Sequence, residues 1–340
     1  MNFLRFMKLA FFEIENWEVE YLKKELSGFD LSFSSEKLSL ENANTAKEAN
    51  VISIFIDSQI DGRIFSFLPN LKMIAVRATG FDNISIEDAK KNKITVCNVP
   101  TYGENTVAEH TFGLILNLSR QIYKSIQSVK EKGFIPDGLR GFDLKGKTLG
   151  IVGTGHIGLH VARIANGFEM NVLAFDVAEN KKLAKKLEFK YVSLEDLLKN
   201  SDIITLHVPY NKNTHHLINS QNINLIKKGA YLINTARGGI IETNALVKAL
   251  DSGILTGAGL DVLEEECFIK EERQLLTKQF PETCNIKTML QNHVLMQREN
   301  VIITPHNAFN SKEALERILE TTIENIRGFD RGKIVNEVKS

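Results

Sequence analysis

Three glycines in the segment Gly153-Thr154-Gly155-His156-Ile157-Gly158 have the spacing at which a backbone can cradle phosphate. Alone, GxGxxG is a weak signal, because many strand-to-helix bends are rich in glycine. Here an apolar run over Thr148–Val152 leads into it, a helical pattern over Ile157–Asn166 leaves it, and Asp176 closes the next apolar run. That is the whole dinucleotide-binding unit. Gly153 permits the tight turn, Gly155 lets the backbone approach a pyrophosphate, and Gly158 lets the helix pack on the strand. The helix N-terminus adds unpaired N–H groups and partial positive charge. Asp176 can accept both adenosine ribose hydroxyls but would repel a 2′-phosphate, and no arginine follows closely to compensate, so NAD is favoured over NADP.

Three further polar groups stand at the ends of apolar runs. Arg237 lies in Asn234-Thr235-Ala236-Arg237-Gly238-Gly239, where two glycines after an arginine suggest backbone packed close to a ligand. Glu266 follows Gly257–Asp261, and His306 follows Val301–Thr304. Ligands of open α/β sheets bind outside the carboxyl ends of the strands, so these side chains should converge beside the nucleotide. Hydride transfer to a carbonyl needs such a set. A guanidinium holds an anionic substrate bidentately, and a histidine delivers the proton. A carboxylate beside the histidine favours its charged form and fixes its orientation. Taken singly, Arg237 would be a surface charge, Glu266 part of a solvated acidic run, and His306 a loop histidine. Their joint placement after a nucleotide turn favours the catalytic reading.

These side chains need a rigid frame. Val51–Ile56, Lys72–Arg77 and Ile94–Asn98 form one series of apolar runs, preceded by a strand over Lys8–Ile14 and a helix over Glu18–Leu26. A second series comprises Thr148–Val152, Asn171–Phe175, Asp202–Leu206, Ala230–Asn234, Gly257–Asp261 and Val301–Thr304. Continuous apolar strands alternating with helices predict an α/β chain with doubly wound parallel sheets. The length of 340 residues favours two domains over one. A long helix over Val107–Leu118 should link them, and with six prolines there is no proline-rich linker. The periodicity does not say which domain receives the last helix, Ser311–Arg327.

Composition narrows the partners. Lysine plus arginine equals aspartate plus glutamate at 42 each, which argues against nucleic acid or an anionic membrane surface as partner. Hydrophobic residues at 43% and charged residues at 25% are ordinary globular values, so disordered and fibrous classes are excluded. Charged residues Arg5, Lys8, Glu13 and Glu15 interrupt the apolar N-terminus, which argues against a signal peptide; Met7 is an alternative start. Cys97, Cys267 and Cys284 form no close pair, so neither a disulfide framework nor a zinc or redox motif is expected, and the chain reads as cytoplasmic. No metal is expected, since Cys267, Cys284 and His293 lack ligand-like spacing.

Ordered motifs along nearly the whole chain resemble the NAD-dependent D-isomer-specific 2-hydroxyacid dehydrogenase family, and within it the D-lactate dehydrogenases. They include Arg77–Asn83, Val99–Tyr102, Val107–His110, Gly153–Gly158, Leu206–Pro209, Asn234–Gly238, Gly259–Val262 and Thr304–His306. The resemblance implies a Rossmann NAD-binding domain, 102–305, inserted into a flavodoxin-like substrate domain, 1–101 with 306–340, to which the last helix returns. It implies a cleft that closes over substrate and a homodimer through the linking-helix region. By the same resemblance Arg237 is the substrate anchor, His306 the acid/base and Glu266 its partner, while the amides of Ala78, Thr79 and Gly80 grip the carboxylate. Val107, Gly153, Thr154, Gly155, His156, Ile157, Gly158, Asp176, His207, Val208, Pro209, Asn213, Thr235, Ala236, Arg237 and Asp261 fall where the family contacts NAD.

Tyr102 and Phe309 would wall a small apolar pocket suited to a methyl group, and so to pyruvate reduced to D-lactate. Two departures from the lactate pattern, the long segment Cys267–Arg298 and Asn310 in place of a second aromatic, leave a bulkier or more polar 2-keto acid open. Glyoxylate, hydroxypyruvate and branched 2-keto acid reductases of the same family are the near alternatives. An NAD-sensing interaction protein of the co-repressor type is the distant one.

Overall fold

The computed structural model describes residues 7–266 and 285–338. Cys267, Cys284 and most of the long segment between Glu266 and His306's strand lie outside the described residues, as do the residues before Met7. The chain forms two compact units, Met1–Tyr102 with Ser311–Ser340, and Gly103–Asn310.

The first unit carries five strands, β1 (Lys8–Phe11), β2 (Asp30–Phe33), β3 (Val51–Ile54), β4 (Met73–Val76) and β5 (Thr95–Cys97), in the order β2-β1-β3-β4-β5. All their pairings are parallel. Every residue of β3 and β4 is buried, which explains their unbroken apolar runs. One face packs Ile52, Ile54, Ile74 and Val96 on Ile60, Ile64 and Leu68. The other packs Leu9, Phe11, Met73 and Cys97 on Leu22, Leu319, Ile323 and Ile326. The last three belong to the helix Lys312–Asp330, so the C-terminal helix covers the sheet of the first unit. Ser311 starts that helix by accepting the Ala314 amide.

Arg77 follows β4 and is 1% exposed. Its guanidinium donates to the carbonyls of Phe12 and Glu13 at 2.8 and 2.6 Å and to Ser53 Oγ at 3.1 Å. A buried cation satisfied by three acceptors fixes where the chain leaves the strand, and the next residues are Ala78, Thr79 and Gly80.

The second unit carries seven strands, β6 (Thr148–Val152), β7 (Asn171–Phe175), β8 (Lys190–Tyr191), β9 (Ile203–Leu206), β10 (Ala230–Asn234), β11 (Leu255–Leu260) and β12 (Val301–Ile303). Their order, β12-β11-β10-β9-β6-β7-β8, runs outward from β6 in both directions, and every pairing is parallel. The sheet therefore has its topological switch point between β6 and β9. Helices on both faces bury it. Phe112, Ile115, Val161 and Ala165 lie in one core with Leu149 and Ile151, and Leu246 and Leu250 in another with Leu232 and Leu260.

Sequence periodicity missed β2 and β8. Both are sheet edges, β2 alternates exposed and half-buried residues, and β8 has two residues, so neither presents a continuous apolar run. The chain crosses between units at Tyr102/Gly103 and again at Asn310/Ser311. His306 and Phe309 thus belong to the nucleotide unit, whereas 306 was expected to open the substrate domain. The cause is local: the Asn307 and Ala308 amides donate to the Asp261 carboxylate at 2.8 Å each, which ties the turn to β11's end.

Candidate active site

The glycine turn joins β6 to the helix His156–Gly167. Gly153 has φ +95°, a conformation open to glycine at little cost. A side chain there would also meet the His207 carbonyl at 2.6 Å. At Gly158 a Cβ would sit 2.0 Å from the Gly153 carbonyl, so helix and strand touch as the motif requires. Gly155 differs: nothing lies within 4 Å of where its Cβ would be. That open ground lies at the start of a helix whose first residue, His156, follows a Gly155 N-cap with no side-chain capping bond. Uncapped N–H groups beside open space are the donor set for a pyrophosphate, and the residues fit an NAD phosphate bridge.

Asp176 closes β7 and turns back to this loop. Its carboxylate accepts the Thr154 amide at 2.6 Å, Thr154 Oγ1 at 3.0 Å and the Ala178 amide at 2.9 Å. Desolvation opposes its charge, but these donors outweigh it and hold the carboxyl below the usual range. It therefore stays anionic, as repulsion of a 2′-phosphate demands. Tyr191 extends the network, its hydroxyl 2.8 Å from Thr154 Oγ1.

His207 ends β9 with Nε2 2.9 Å from Thr205 Oγ1. Enclosure pushes its imidazole down to about 3, so it is a neutral group. Val208 packs against Gly153, while Pro209 and Asn213 lie in the exposed loop beyond. Thr235 Oγ1 lies 3.1 Å from Thr111 Oγ1, on the helix Glu104–Arg120 that also carries Val107.

Arg237, Glu266 and His306 follow β10, β11 and β12, three neighbouring parallel strands, at their carboxyl ends. The buried Asn234 shapes the first turn, donating to the Arg237 carbonyl at 2.9 Å and accepting the Ala236 amide at 3.0 Å. The following glycines pack closely against protein on their Cβ side. A Cβ on Gly238 would lie 2.0 Å from the Leu263 carbonyl carbon, and one on Gly239 2.8 Å from the Tyr210 ring.

Glu266 and His306 meet directly, with Nδ1 2.6 Å from Glu266 Oε1. The other carboxylate oxygen accepts the Leu263 amide at 3.0 Å, which fixes the rotamer. His306 has φ +51°, a left-handed conformation that costs a non-glycine residue on the order of 1 kcal/mol. Its amide donates to the Asp261 carbonyl at 2.8 Å. Asp261 is the hub beneath: Thr304 Oγ1 donates to its carboxylate at 2.5 Å, and His110 Nε2 lies 3.4 Å away. Burial opposes this charge, yet the bonds from His110, Thr304, Asn307 and Ala308 prevail and hold the carboxyl below its usual range.

Sequence reasoning missed His110 as a member of this network, as well as the contact of His216 Nε2 with Glu264 Oε1 at 2.6 Å. Both are side chains that meet others far along the chain, and spacing carries no trace of that. Ala78, Thr79, Gly80 and Tyr102 belong to the first unit. There Thr79 Oγ1 donates to the Val99 carbonyl at 2.8 Å, and Asn98 donates to the Thr79 carbonyl at 2.7 Å, so the loop after β4 is braced by the loop after β5.

A nucleotide turn, an anionic Asp176 and a polar set on three adjacent strand ends define an α/β dehydrogenase. The model of the D-isomer specific 2-hydroxyacid dehydrogenase NAD binding domain matches residues 112–308. The chain is 34% identical to D-lactate dehydrogenase of Escherichia coli, covering 96% of this chain and 98% of that one. It is 37% identical to glyoxylate reductase of Pyrococcus horikoshii, over 85% and 82% of the two chains. The crystal structure of D-lactate dehydrogenase from Aquifex aeolicus complexed with NAD and lactic acid superposes with a TM-score of 0.85, at 37% identity and 96% coverage of both chains. The chain belongs to the D-isomer specific 2-hydroxyacid dehydrogenase family, and it is an NAD-dependent enzyme.

The Asp261 hub yields a stability prediction with a definite sign. A carboxyl held low in the fold contributes fully above its unfolded value of about 4 and loses that contribution as pH falls below it. Asp261→Asn turns an acceptor into a donor facing donors, and should destabilise the protein by about 2 to 4 kcal/mol at pH 7. Denaturant titrations should show the gap to the parent protein narrowing below about pH 4. A gap that is constant with pH would contradict the hub's charge.

Proposed function

We propose that the enzyme reduces a small 2-keto acid, pyruvate foremost, to the D-2-hydroxy acid, D-lactate. The observation that carries the catalytic assignment is the 2.6 Å contact between His306 Nδ1 and Glu266 Oε1. It orients the ring so that Nε2 is the nitrogen left to serve the substrate oxygen. His306 gives the proton in reduction and takes it in oxidation, with Glu266 as counter-charge. Arg237 holds the substrate anion, joined by the amides of Ala78, Thr79 and Gly80. Tyr102 and Phe309 bound the substrate's side group. When bound, NADH supplies hydride to the carbonyl carbon. Its pyrophosphate is assigned to the Gly153–Gly158 turn and its adenosine ribose to Asp176. The substrate choice is supported by the D-lactate dehydrogenase relatives.

A second reading has two observations behind it. Glyoxylate reductase of Pyrococcus horikoshii is as similar in identity as the Aquifex enzyme, and Asn310 follows Phe309. A smaller or more polar keto acid is then the substrate.

NADH absorbance should fall fastest with pyruvate in a panel that includes glyoxylate, hydroxypyruvate and branched 2-keto acids. Preference for glyoxylate or hydroxypyruvate would establish the second reading, and no turnover with any of them would sink both. Glu266→Gln should lower kcat for keto acid reduction about 10- to 100-fold by loosening the His306 ring, and parent-like turnover would refute the Glu266–His306 coupling.

The assembly proposal is a homodimer through the linking-helix region. No residue of the helix Ile122–Lys132 is buried, and Ile122, Tyr123, Ile126 and Val129 are 41%, 59%, 52% and 45% exposed. Such a stripe next to the helix Glu104–Arg120 suits a second copy of the chain. Ile126→Asp should elute as a monomer in size-exclusion chromatography where the parent elutes as a dimer; identical elution would count against this face. Cys97, the cysteine among the described residues, is a free thiol, which suits a reducing compartment, and we place the enzyme in the cytoplasm.

A further inference from the structure

Glu264 and Glu266 lie in one acidic run, yet they face different histidines. Glu266 meets His306, while Glu264 Oε1 lies 2.6 Å from His216 Nε2. This second pair is only partly exposed, at 30% for the His216 side chain and 18% for Glu264. It stands outside the chemistry proposed for the site.

The contacts of the pair run to the two loops that carry Arg237 and Glu266. Glu264 Oε2 accepts the Thr243 hydroxyl at 2.7 Å and the Thr243 amide at 3.2 Å, at the start of the helix Thr243–Asp251. The Glu264 carbonyl accepts Asn292 Nδ2 at 2.8 Å. His216 has φ +49°, and its amide donates to the Gly239 carbonyl at 2.8 Å. Ile218 follows with an amide bond to the Ile240 carbonyl at 3.1 Å. The loop after β9 is thereby stitched to the Gly238–Ile240 turn immediately after Arg237.

That turn rests on Glu264. A Cβ on Gly238 would be 2.1 Å from the Leu263 carbonyl oxygen and 2.2 Å from the Glu264 nitrogen, so the backbones after Arg237 and before Glu266 are in contact. The Leu263 amide in turn donates to Glu266 Oε2. The Glu264 carboxylate ties His216 and Thr243 to this contact from outside. Its loss would free the Leu263–Glu264 segment, and with it both the Arg237 turn and the carboxylate on His306.

We propose that His216 and Glu264 form a clasp that sets the separation of Arg237 from the Glu266–His306 pair. They are positioning residues for keto acid reduction and touch no reacting atom. The inference rests on the proposed roles of Arg237, Glu266 and His306.

The test combines kinetics with crystallography on the full-length enzyme. Glu264→Ala and His216→Ala should each lower kcat/KM for the keto acid about 10- to 100-fold, the scale of a misplaced positioning group. NADH affinity, read by quenching of protein fluorescence, should fall less than kcat/KM, because the glycine turn and Asp176 are not part of the clasp. The double variant should be no worse than the poorer single one, since each removes the same contact. Glu264→Gln should recover most of the loss, because an amide can bond both Thr243 and an uncharged imidazole. Crystals of His216→Ala should show the Glu266–His306 contact lengthened, which reads the clasp without any substrate. Parent-like kinetics with an unmoved Glu266–His306 contact would overturn the clasp, as would additive losses or equal losses of NADH affinity and turnover. If Glu264→Ala does not fold, His216→Ala alone decides by the same two readouts. Failure of the parent enzyme to reduce any keto acid would sink the functional reading, and the crystal structure would still decide the clasp.

Discussion

Asp261 is a charged group with no exposed side-chain surface, and such a group persists only when every oxygen is engaged. Its partners are the Thr304 hydroxyl, the Asn307 and Ala308 amides and the His110 ring. Three of these belong to the segment that contains His306, and the fourth to the helix Glu104–Arg120. The carboxylate thus holds the His306 loop in a left-handed backbone conformation that a histidine would otherwise leave. That anchor sets the loop from which His306 reaches Glu266. The polar network and the parallel sheet are one device: adjacent strands bring their carboxyl ends side by side, and a buried charge locks the loops that leave them.

A chain of zero formal net charge can nonetheless attract a small anion. Arg237 stands on the β10–β12 side of the second unit, while the helix that starts at His156 adds the partial positive charge of its N-terminus. The acidic residues nearby do not cancel them indiscriminately. Glu266 is committed to His306, Glu264 to His216 and Thr243, and Asp261 to the hub. Local pairing, and not the overall charge balance, decides what the site attracts.

Much of this was legible in the chain, for identifiable reasons. Fully buried parallel strands such as β3, β4 and β9 write themselves as continuous apolar runs. The glycine turn was legible because two of its glycines meet backbone that any Cβ would strike. Glu266 and His306 could be paired because the strand-end rule gives a reason for polar residues there. What stayed hidden was tertiary. The acidic run Glu264–Glu266 looks like a solvated stretch, although each carboxylate has its own partner, Glu265 accepting the Asn285 amide. His110 looks like one more polar residue on a helix, and its contact with Thr304 spans 194 positions. No periodicity records a partner that distant. Edge strands were missed for the complementary reason, that half-exposed positions need not be apolar.

The return of the helix Lys312–Asp330 to the first unit has a consequence for how the protein is made. Synthesis runs from the N-terminus, so the ribosome completes the whole second unit before it emits Leu319, Ile323 and Ile326. Until then Leu9, Phe11, Met73 and Cys97 have Leu22 and Leu26 over them but lack the other three residues of that cluster. The nucleotide unit can close its core during translation, while the first unit must wait with part of an apolar sheet face uncovered. The interval is the time taken to translate some two hundred residues, about 10 to 40 s at ordinary elongation rates. The first-made part of the enzyme is therefore the last to be finished.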